Sequence, residues 1–313
     1  MLNTTVNDHV ASRGATSRSH SAMDSATLNQ ITFRNILFAT DFSPATNAAL
    51  PYAEELARRY GSTVYLVHVV RPDFYPYVPP SEWPRIAREE EEFRGKGKHQ
   101  LEAEFQGFPH EFIFPSGDVW KNVARIIEQK KIDLIVLGTH GRTGVEKVLM
   151  GSVAEEIVRQ ARCPVLTVGR AVFSKATHAA AADLNRILYA TDFSPESLAA
   201  APYAISLARE YRAELILMHA IQKPEPGRVN SAFQTLRDVI PFGTRLSQEP
   251  RFIVERGSPE AAILNVRKKQ NADLIVMGVR GASALLPVTT RFVTSIAYRV
   301  VAKSACPVLT VRA

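Results

Sequence analysis

The 313-residue chain repeats itself, and no other feature of the sequence limits its possible folds as strongly. Ile36-Leu37-Phe38-Ala39-Thr40-Asp41-Phe42-Ser43-Pro44 returns 151 residues later as Ile187-Leu188-Tyr189-Ala190-Thr191-Asp192-Phe193-Ser194-Pro195. Asp133-Leu134-Ile135-Val136-Leu137-Gly138 returns 140 residues later as Asp273-Leu274-Ile275-Val276-Met277-Gly278. Cys-Pro-Val-Leu-Thr-Val closes both halves, from Cys163 and from Cys306. Three blocks in the same order, spread over most of the chain, mark a duplication. The second copy is about eleven residues shorter in its middle segment.

Within a copy, short apolar runs alternate with helical periodicity, the pattern of βαβ units around a parallel sheet. In the first copy, residues 35–40 read as a buried strand. Ser43 and Pro44 then read as the N-cap and first position of a helix. Ala48, Ala49, Tyr52, Ala53, Leu56 and Ala57 carry that helix through Tyr60 to a stop at Gly61. Residues 64–70 form an almost wholly apolar second strand, as when helices cover both faces of a sheet. A charged helix over 81–105 has Gly95 and Gly97 as weak points. A strand over 112–114, a helix over 119–129, a strand over 134–137, a helix over 152–160 and a strand over 164–168 complete the copy. The expected fold class is α/β: two tandem Rossmann-like domains, each a five-stranded parallel sheet flanked by helices. The expected layout is an arm over 1–32, a first domain over 33–170, a linker over 171–184 and a second domain over 185–313.

Composition removes several functions. Hydrophobic residues make up 46% and charged residues 22%, the balance of a soluble globular protein. The net charge of +7 is not gathered into a basic stripe with stacking aromatics, so nucleic-acid binding is not expected. No apolar stretch approaches the length of a membrane span. The first 30 residues are polar and lack the apolar segment of a secretory signal, so they read as a disordered arm. Cys163 and Cys306 occupy equivalent places in separate halves; they read as unpaired, small buried hydrophobes in a cytoplasmic protein.

In open parallel sheets ligands bind beyond the carboxyl ends of the strands. Three features fall there in the first copy: Asp41, the segment His68-Val69-Val70, and Gly138-Thr139-His140-Gly141 followed nine residues later by Gly151-Ser152 at a helix start. Glycines permit left-handed backbone and let phosphate oxygens approach amides, while a helix start adds unpartnered N–H groups and a positive dipole end. The spacing describes an anion site, although strand-end glycines also serve tight turns. It is not a Walker loop, since no Gly-Lys-Ser/Thr follows, nor a dinucleotide fingerprint, since the glycines follow the fourth strand. Asp41 has two readings, ligand contact or helix capping ahead of Ser43. His68 and His219 read as buried, hydrogen-bonded strand histidines, and residues 89–92 as a solvated helix face.

Gly138-x-x-Gly141-(nine residues)-Gly151-Ser152, with Ala39-Thr40-Asp41 at the first strand end and Cys-Pro-Val at the last, resembles the universal stress protein family in its ATP-binding branch. The resemblance covers both copies. It implies that Asp41 lies beside an adenosine and that Ala39 and Val69 touch the adenine through their backbone. It implies that Leu137, Gly138, His140 and Gly141 line the ribose and phosphate side, and that Gly151, Ser152 and Val153 hold the phosphates of ATP with a divalent metal such as Mg. Arg142 is a phosphate contact by charge or a solvated loop residue. The resemblance also implies pairing through the fifth strand of each domain, 165–168 and 308–311. That pairing would join the two domains as a pseudo-dimer, and a homodimer of chains is the further possibility.

The second copy departs from the pattern. Gly278-Val279-Arg280-Gly281 remains, but nine residues on stand Arg291-Phe292; counted back from the Cys-Pro block, Thr294-Ser295 faces Gly151-Ser152. A β-branched residue disfavours positive φ and fills space, so the second site is expected to bind ATP weakly or not at all. No general base or nucleophile–base pair is evident. The expected function is a nucleotide-dependent stress-response or regulatory protein, with a slow ATPase or adenylyl-transferring enzyme and a ligand-indifferent scaffold as the alternatives.

Overall fold

The computed structural model describes residues 31–70, 79–139, 150–169, 172, 183–222, 225–279 and 295–313. The expected arm, most of the expected linker, and His140, Gly141, Arg142, Gly281 and Thr294 lie outside the described residues.

The first half runs β1 (Asn35–Ala39), α1 (Pro44–Asn47), α2 (Leu50–Tyr60), β2 (Thr63–Val67), α3 (Trp83–Glu104), β3 (His110–Ile113), α4 (Val119–Lys130), β4 (Leu134–Gly138), α5 (Ser152–Gln160) and β5 (Val165–Val168). The second repeats the order with β6 (Arg186–Ala190), α6 (Pro195–Leu198), α7 (Ala201–Glu210), β7 (Glu214–Ile221), α8 (Pro226–Asp238), β8 (Arg251–Arg256), α9 (Pro259–Gln270), β9 (Leu274–Val279), α10 (Ile296–Lys303) and β10 (Val308–Arg312). Each half is a parallel sheet in the order 3-2-1-4-5, and β5 pairs antiparallel with β10 to give one ten-stranded sheet. At that seam Val308, Leu309 and Thr310 face Thr167, Leu166 and Val165.

The strands are buried on both faces because helices cover both. Ile36, Phe38, Leu134 and Val136 face one core with α2 and α7, while Leu37, Ile135 and Leu137 face the other with α4, α5, α9 and α10. Each core runs through both halves. The seam is tied by buried hydroxyls: Thr167 Oγ1 donates to Val308 O at 3.0 Å and Thr310 Oγ1 donates to Val165 O at 3.2 Å. A threonine in a buried strand satisfies its hydroxyl this way at no cost to the ladder.

Local departures from the sequence expectations have physical causes. Ser43 caps and Pro44 starts a helix, but that helix ends at Asn47 and a second begins at Leu50, with Pro51 in its first turn. A proline offers no amide to a preceding carbonyl, so the ladder is interrupted and the chain turns at Ala48 and Ala49. Gly61 does stop α2, at φ +63°. Gly95 and Gly97 do not break the helix, since α3 runs through both. β2 ends at Val67, and Val70 rejoins the sheet only as an isolated bridge to Ser116.

Candidate functional site

In a 3-2-1-4-5 sheet the chain leaves β1 toward one side and returns to β4 on the other, so a crevice opens between their carboxyl ends. Register places Ala39 beside Val67 on one side and Leu137 on the other. Five of the sequence-derived site residues therefore gather here: Ala39, Leu137 and Gly138 on the strands, with Asp41 and Val69 just past them. Gly151, Ser152 and Val153 join them from α5. Thr139 N–H donates to Val168 O, and Gly151 N–H donates back to Thr139 O at 2.7 Å. That second bond sets the start of α5 against the carboxyl end of β4.

Gly151 is the N-cap of α5 at φ −61° and ψ 148°, with no side chain to cap the helix. The expectation of left-handed backbone fails at this position. The backbone at Gly151 does not itself demand glycine, so φ gives no reason for a threonine to be excluded from the matching place. The amides of Ser152, Val153 and Ala154 have no carbonyl four residues earlier in the helix to receive them. Together with the dipole of α5 they make this helix start attractive to an anion. Ser152 is exposed, while Gly151 and Val153 are half-buried.

At the end of β1 the backbone is held by a small network. Asp41 Oδ1 accepts from Ser43 N–H at 3.0 Å and from Thr46 Oγ1 at 2.6 Å, so the capping reading of Asp41 has direct geometric support. Thr40 Oγ1 accepts from Phe42 N–H at 2.9 Å, and Thr40 O accepts from His68 Nδ1 at 2.9 Å. The carbonyl assigns the proton to Nδ1, leaving Nε2 as an acceptor. His68 is buried and tilted against the Phe42 ring at 4.7 Å, as a structural histidine should be. Phe42 itself sits at φ +58°, and Phe193 repeats this at φ +64°. Left-handed backbone at a bulky residue costs about 1–3 kcal/mol and persists only where neighbours hold it.

Sequence reasoning missed four parts of this site. Thr40 and Thr139 act through carbonyls, Gly97 admits the Phe42 ring against α3, and Tyr298 arrives from the other half. Only Thr40 left a signal, its return as Thr191. Tyr298 is buried in the α5–α10 core, and its hydroxyl accepts a hydrogen bond from the backbone N–H of Met150, the residue before Gly151. Burial, and Glu155 nearby, push its ionisation upward, so the hydroxyl stays neutral. Burial likewise pushes the Cys163 thiol up to about 12, in keeping with a packing role. Among the described residues no three His, Cys, Asp or Glu side chains converge to hold a metal, and no helix is long and apolar enough to cross a membrane.

The second half offers a parallel arrangement. A cleft of about 400 Å³ opens at the carboxyl ends of β6, β7 and β9 beside the start of α10. His219 Nδ1 donates to Thr191 O at 2.9 Å and Asp192 Oδ1 accepts from Ser194 N–H at 3.0 Å, as their counterparts do. Here the helix N-cap is Ser295, whose Oγ accepts from Tyr298 N–H at 3.1 Å.

Fold and site together define a tandem α/β protein whose two halves repeat one strand-end arrangement. The sequence profile of the universal stress protein family matches residues 32–169 and 184–312, so the chain belongs to that family, twice over. A universal stress protein of Methanocaldococcus jannaschii is 36% identical over 141 residues, 44% of this chain and 82% of the relative. Universal stress protein A homolog 1 of Coxiella burnetii is 32% identical over 143 residues, 44% of this chain and 96% of the relative. These relatives match about one repeat. The crystal structure of a universal stress protein from Archaeoglobus fulgidus covers 89% of this chain and 98% of its own, with a TM-score of 0.67 and 23% identity, a likeness of fold.

Proposed function

We propose that the first half binds ATP and that its occupancy is used as a regulatory signal in the stress response. The observation that supports this reading is the start of α5: Gly151, pinned to Thr139 O, sets the amides of Ser152, Val153 and Ala154, which no carbonyl within the helix receives, beside the crevice between β1 and β4. Ala39, Val69, Leu137 and Gly138 supply an apolar, close-approach wall for the base and sugar. Asp41 keeps Oδ1 in its turn, and its carboxylate is the natural partner for a ribose hydroxyl. His140, Gly141 and Arg142 stand between β4 and α5 in the sequence and are assigned to the phosphates. Mg would be carried in on the phosphate oxygens, with the Ser152 hydroxyl as a protein contribution.

No nucleophile–base pair stands among the described site residues, which favours binding over turnover. The seam between β5 and β10 supports reading one chain as an internal pseudo-dimer. The test is isothermal titration of the purified full chain with Mg-ATP. One site per chain, lost in Gly151→Glu, is expected; no saturable binding, or binding unchanged in Gly151→Glu, overturns the reading. Multiple turnovers of ATP hydrolysis, abolished by the same substitution, would instead establish the enzymatic alternative.

A further inference from the structure

The ten-stranded sheet ends in β3 on one side and β8 on the other, since β5 and β10 already pair with each other. Among the described residues no strand pairs with the outer side of β8. Phe252, Ile253 and Val254 remain half-buried on it, while the interior strands β6 and β9 are buried nearly throughout. In a parallel ladder the backbone groups of successive residues point alternately to the two neighbouring strands. Gly257 N–H donates to Ile221 O at 3.1 Å, so residues 251, 253 and 255 also turn toward β7. Phe252, Val254 and Arg256 therefore turn their N–H and C=O groups outward, an unfilled template for another strand. Side-chain charge on this strand is symmetrically opposed. Arg251 stands two residues before Ile253, and Glu255 stands two residues after it. Both lie on the face covered by α9, where Arg251 bonds Gln270 and Glu255 bonds Asn265 and Lys269.

We propose that β8 is a homodimer edge, on which a second copy of this chain pairs antiparallel about a two-fold axis at Ile253. In that register Phe252 and the partner's Val254 exchange both backbone hydrogen bonds, and the two-fold repeats the exchange. Outward groups then meet outward groups, as an antiparallel pair requires. Arg251 comes opposite the partner's Glu255, again twice, and opposite charges facing each other across a pair stabilise it. A slip of the axis by one residue in either direction sets a charge against Ile253, so the side chains select one register. The edge at β3 lacks this self-complementarity. Val64 N–H donates to Pro109 O, so His110 and Phe112 turn outward there, and self-pairing would set Glu111 against itself, Ile113 or Pro115. A two-fold contact uses the same patch on both copies and closes on itself, so the assembly through β8 stops at two chains.

The test is sedimentation velocity of the full chain in wild type, Val254→Pro, Arg251→Glu, Glu255→Arg and an equimolar mixture of the last two. Circular dichroism and the unfolding midpoint check that each variant is folded. Proline at position 254 removes an outward N–H and leaves the ladder to β7 intact. Wild type is expected to dimerise, and each single variant to raise the dissociation constant about tenfold or more, since either reversal sets like charges opposite each other. The mixture is expected to recover wild-type association, because each chain then offers the charge that the other lacks. Both reversals also disturb partners within the chain, at Glu214 and Lys269, and mixing repairs neither, so recovery reports the contact between copies. The proposal is overturned if wild type stays monomeric, if its association withstands Val254→Pro, or if the mixture associates no better than either variant alone.

Discussion

Phe42 shows how a single residue joins the site to the scaffold. Its left-handed backbone turns the ring onto His68 at 4.7 Å, with Phe93 at 5.8 Å and Phe114 at 6.4 Å around it. The fourth side is closed by the backbone of α3 at Gly97, where an added Cβ would overlap the ring. Gly97→Ala should therefore destabilise by about 1–3 kcal/mol through overpacking. Gly95, two residues away in the same helix, has nothing within 4 Å of an added Cβ. Gly95→Ala should stabilise by about 0.5–1 kcal/mol through helix propensity alone. Urea unfolding of the two variants distinguishes packing from propensity; equal shifts would refute the contact. Glu54 is a second residue with a defined consequence. Burial, then the nearby Glu104, raise its carboxyl from 4.5 to about 7, against Arg58, and its Oε1 is buried without a partner. The folded state thus holds a proton that the unfolded state has lost between pH 4.5 and 7, so this group's contribution to stability falls as pH rises through that window. Glu54→Gln should flatten that part of the pH profile and gain stability relative to wild type at pH 8, as read by urea midpoints at pH 5 and 8. An unchanged difference between the two proteins across that range would contradict it.

Among the elements, α5 and α10 are the informative pair. Ser152 lies inside the first turn of α5 and caps nothing, whereas Ser295 caps α10. Ser295→Ala should cost about 1 kcal/mol, the usual loss of an N-cap. Ser152→Ala should leave stability nearly unchanged and weaken ATP binding instead. Calorimetric unfolding and ATP titration on both variants check the crossed pattern; a stability loss in Ser152→Ala would place the cap wrongly. The sequence made much of this legible. Ser43, Pro44 and Gly61 announce the ends of helices because capping is local chemistry, and the expected helix over 152–160 agrees with α5 in its bounds. The break at Ala48–Ala49 was hidden because apolar periodicity continues across it. Gly97 looked like a flaw because its partner, Phe42, is distant in sequence. The Gly151 position was legible while its φ was not, since a glycine's presence does not say whether the backbone or the missing side chain is being used. Tyr298 gave no signal at all, because its role depends on which helix the other half lays beside it.

At the scale of the molecule, the duplication yields one sheet and two continuous cores, so neither half is insulated from the other. Phe33 stacks on Tyr203 with centroids 6.3 Å apart, and the Arg59 guanidinium lies 4.0 Å from the Tyr211 ring centroid, fastening α2 to α7 on one face. On the other face Arg312 of β10 donates to the final carbonyls of α5, at Arg159 and Gln160. Such donors at a helix C-terminus complement its dipole. Both ends of α5 are thereby held by the second half, Gln160 by Arg312 and Met150 by Tyr298. The start of α5 is where the phosphates are assigned, so its position depends on the partner half. Tyr298→Phe keeps the ring in the core and removes the hydroxyl that meets the Met150 amide. A lost hydrogen bond is worth roughly 1 kcal/mol, and the orphaned donor relaxes at the expense of the Gly151 turn. ATP affinity in the first half should therefore fall about fivefold, with the number of sites per chain unchanged. Because Tyr298 is assigned no contact with nucleotide, such a change reports coupling through the α5 start. ATP titration of Tyr298→Phe against wild type decides the matter, and an unaltered dissociation constant would mean that the first half holds its phosphate loop alone.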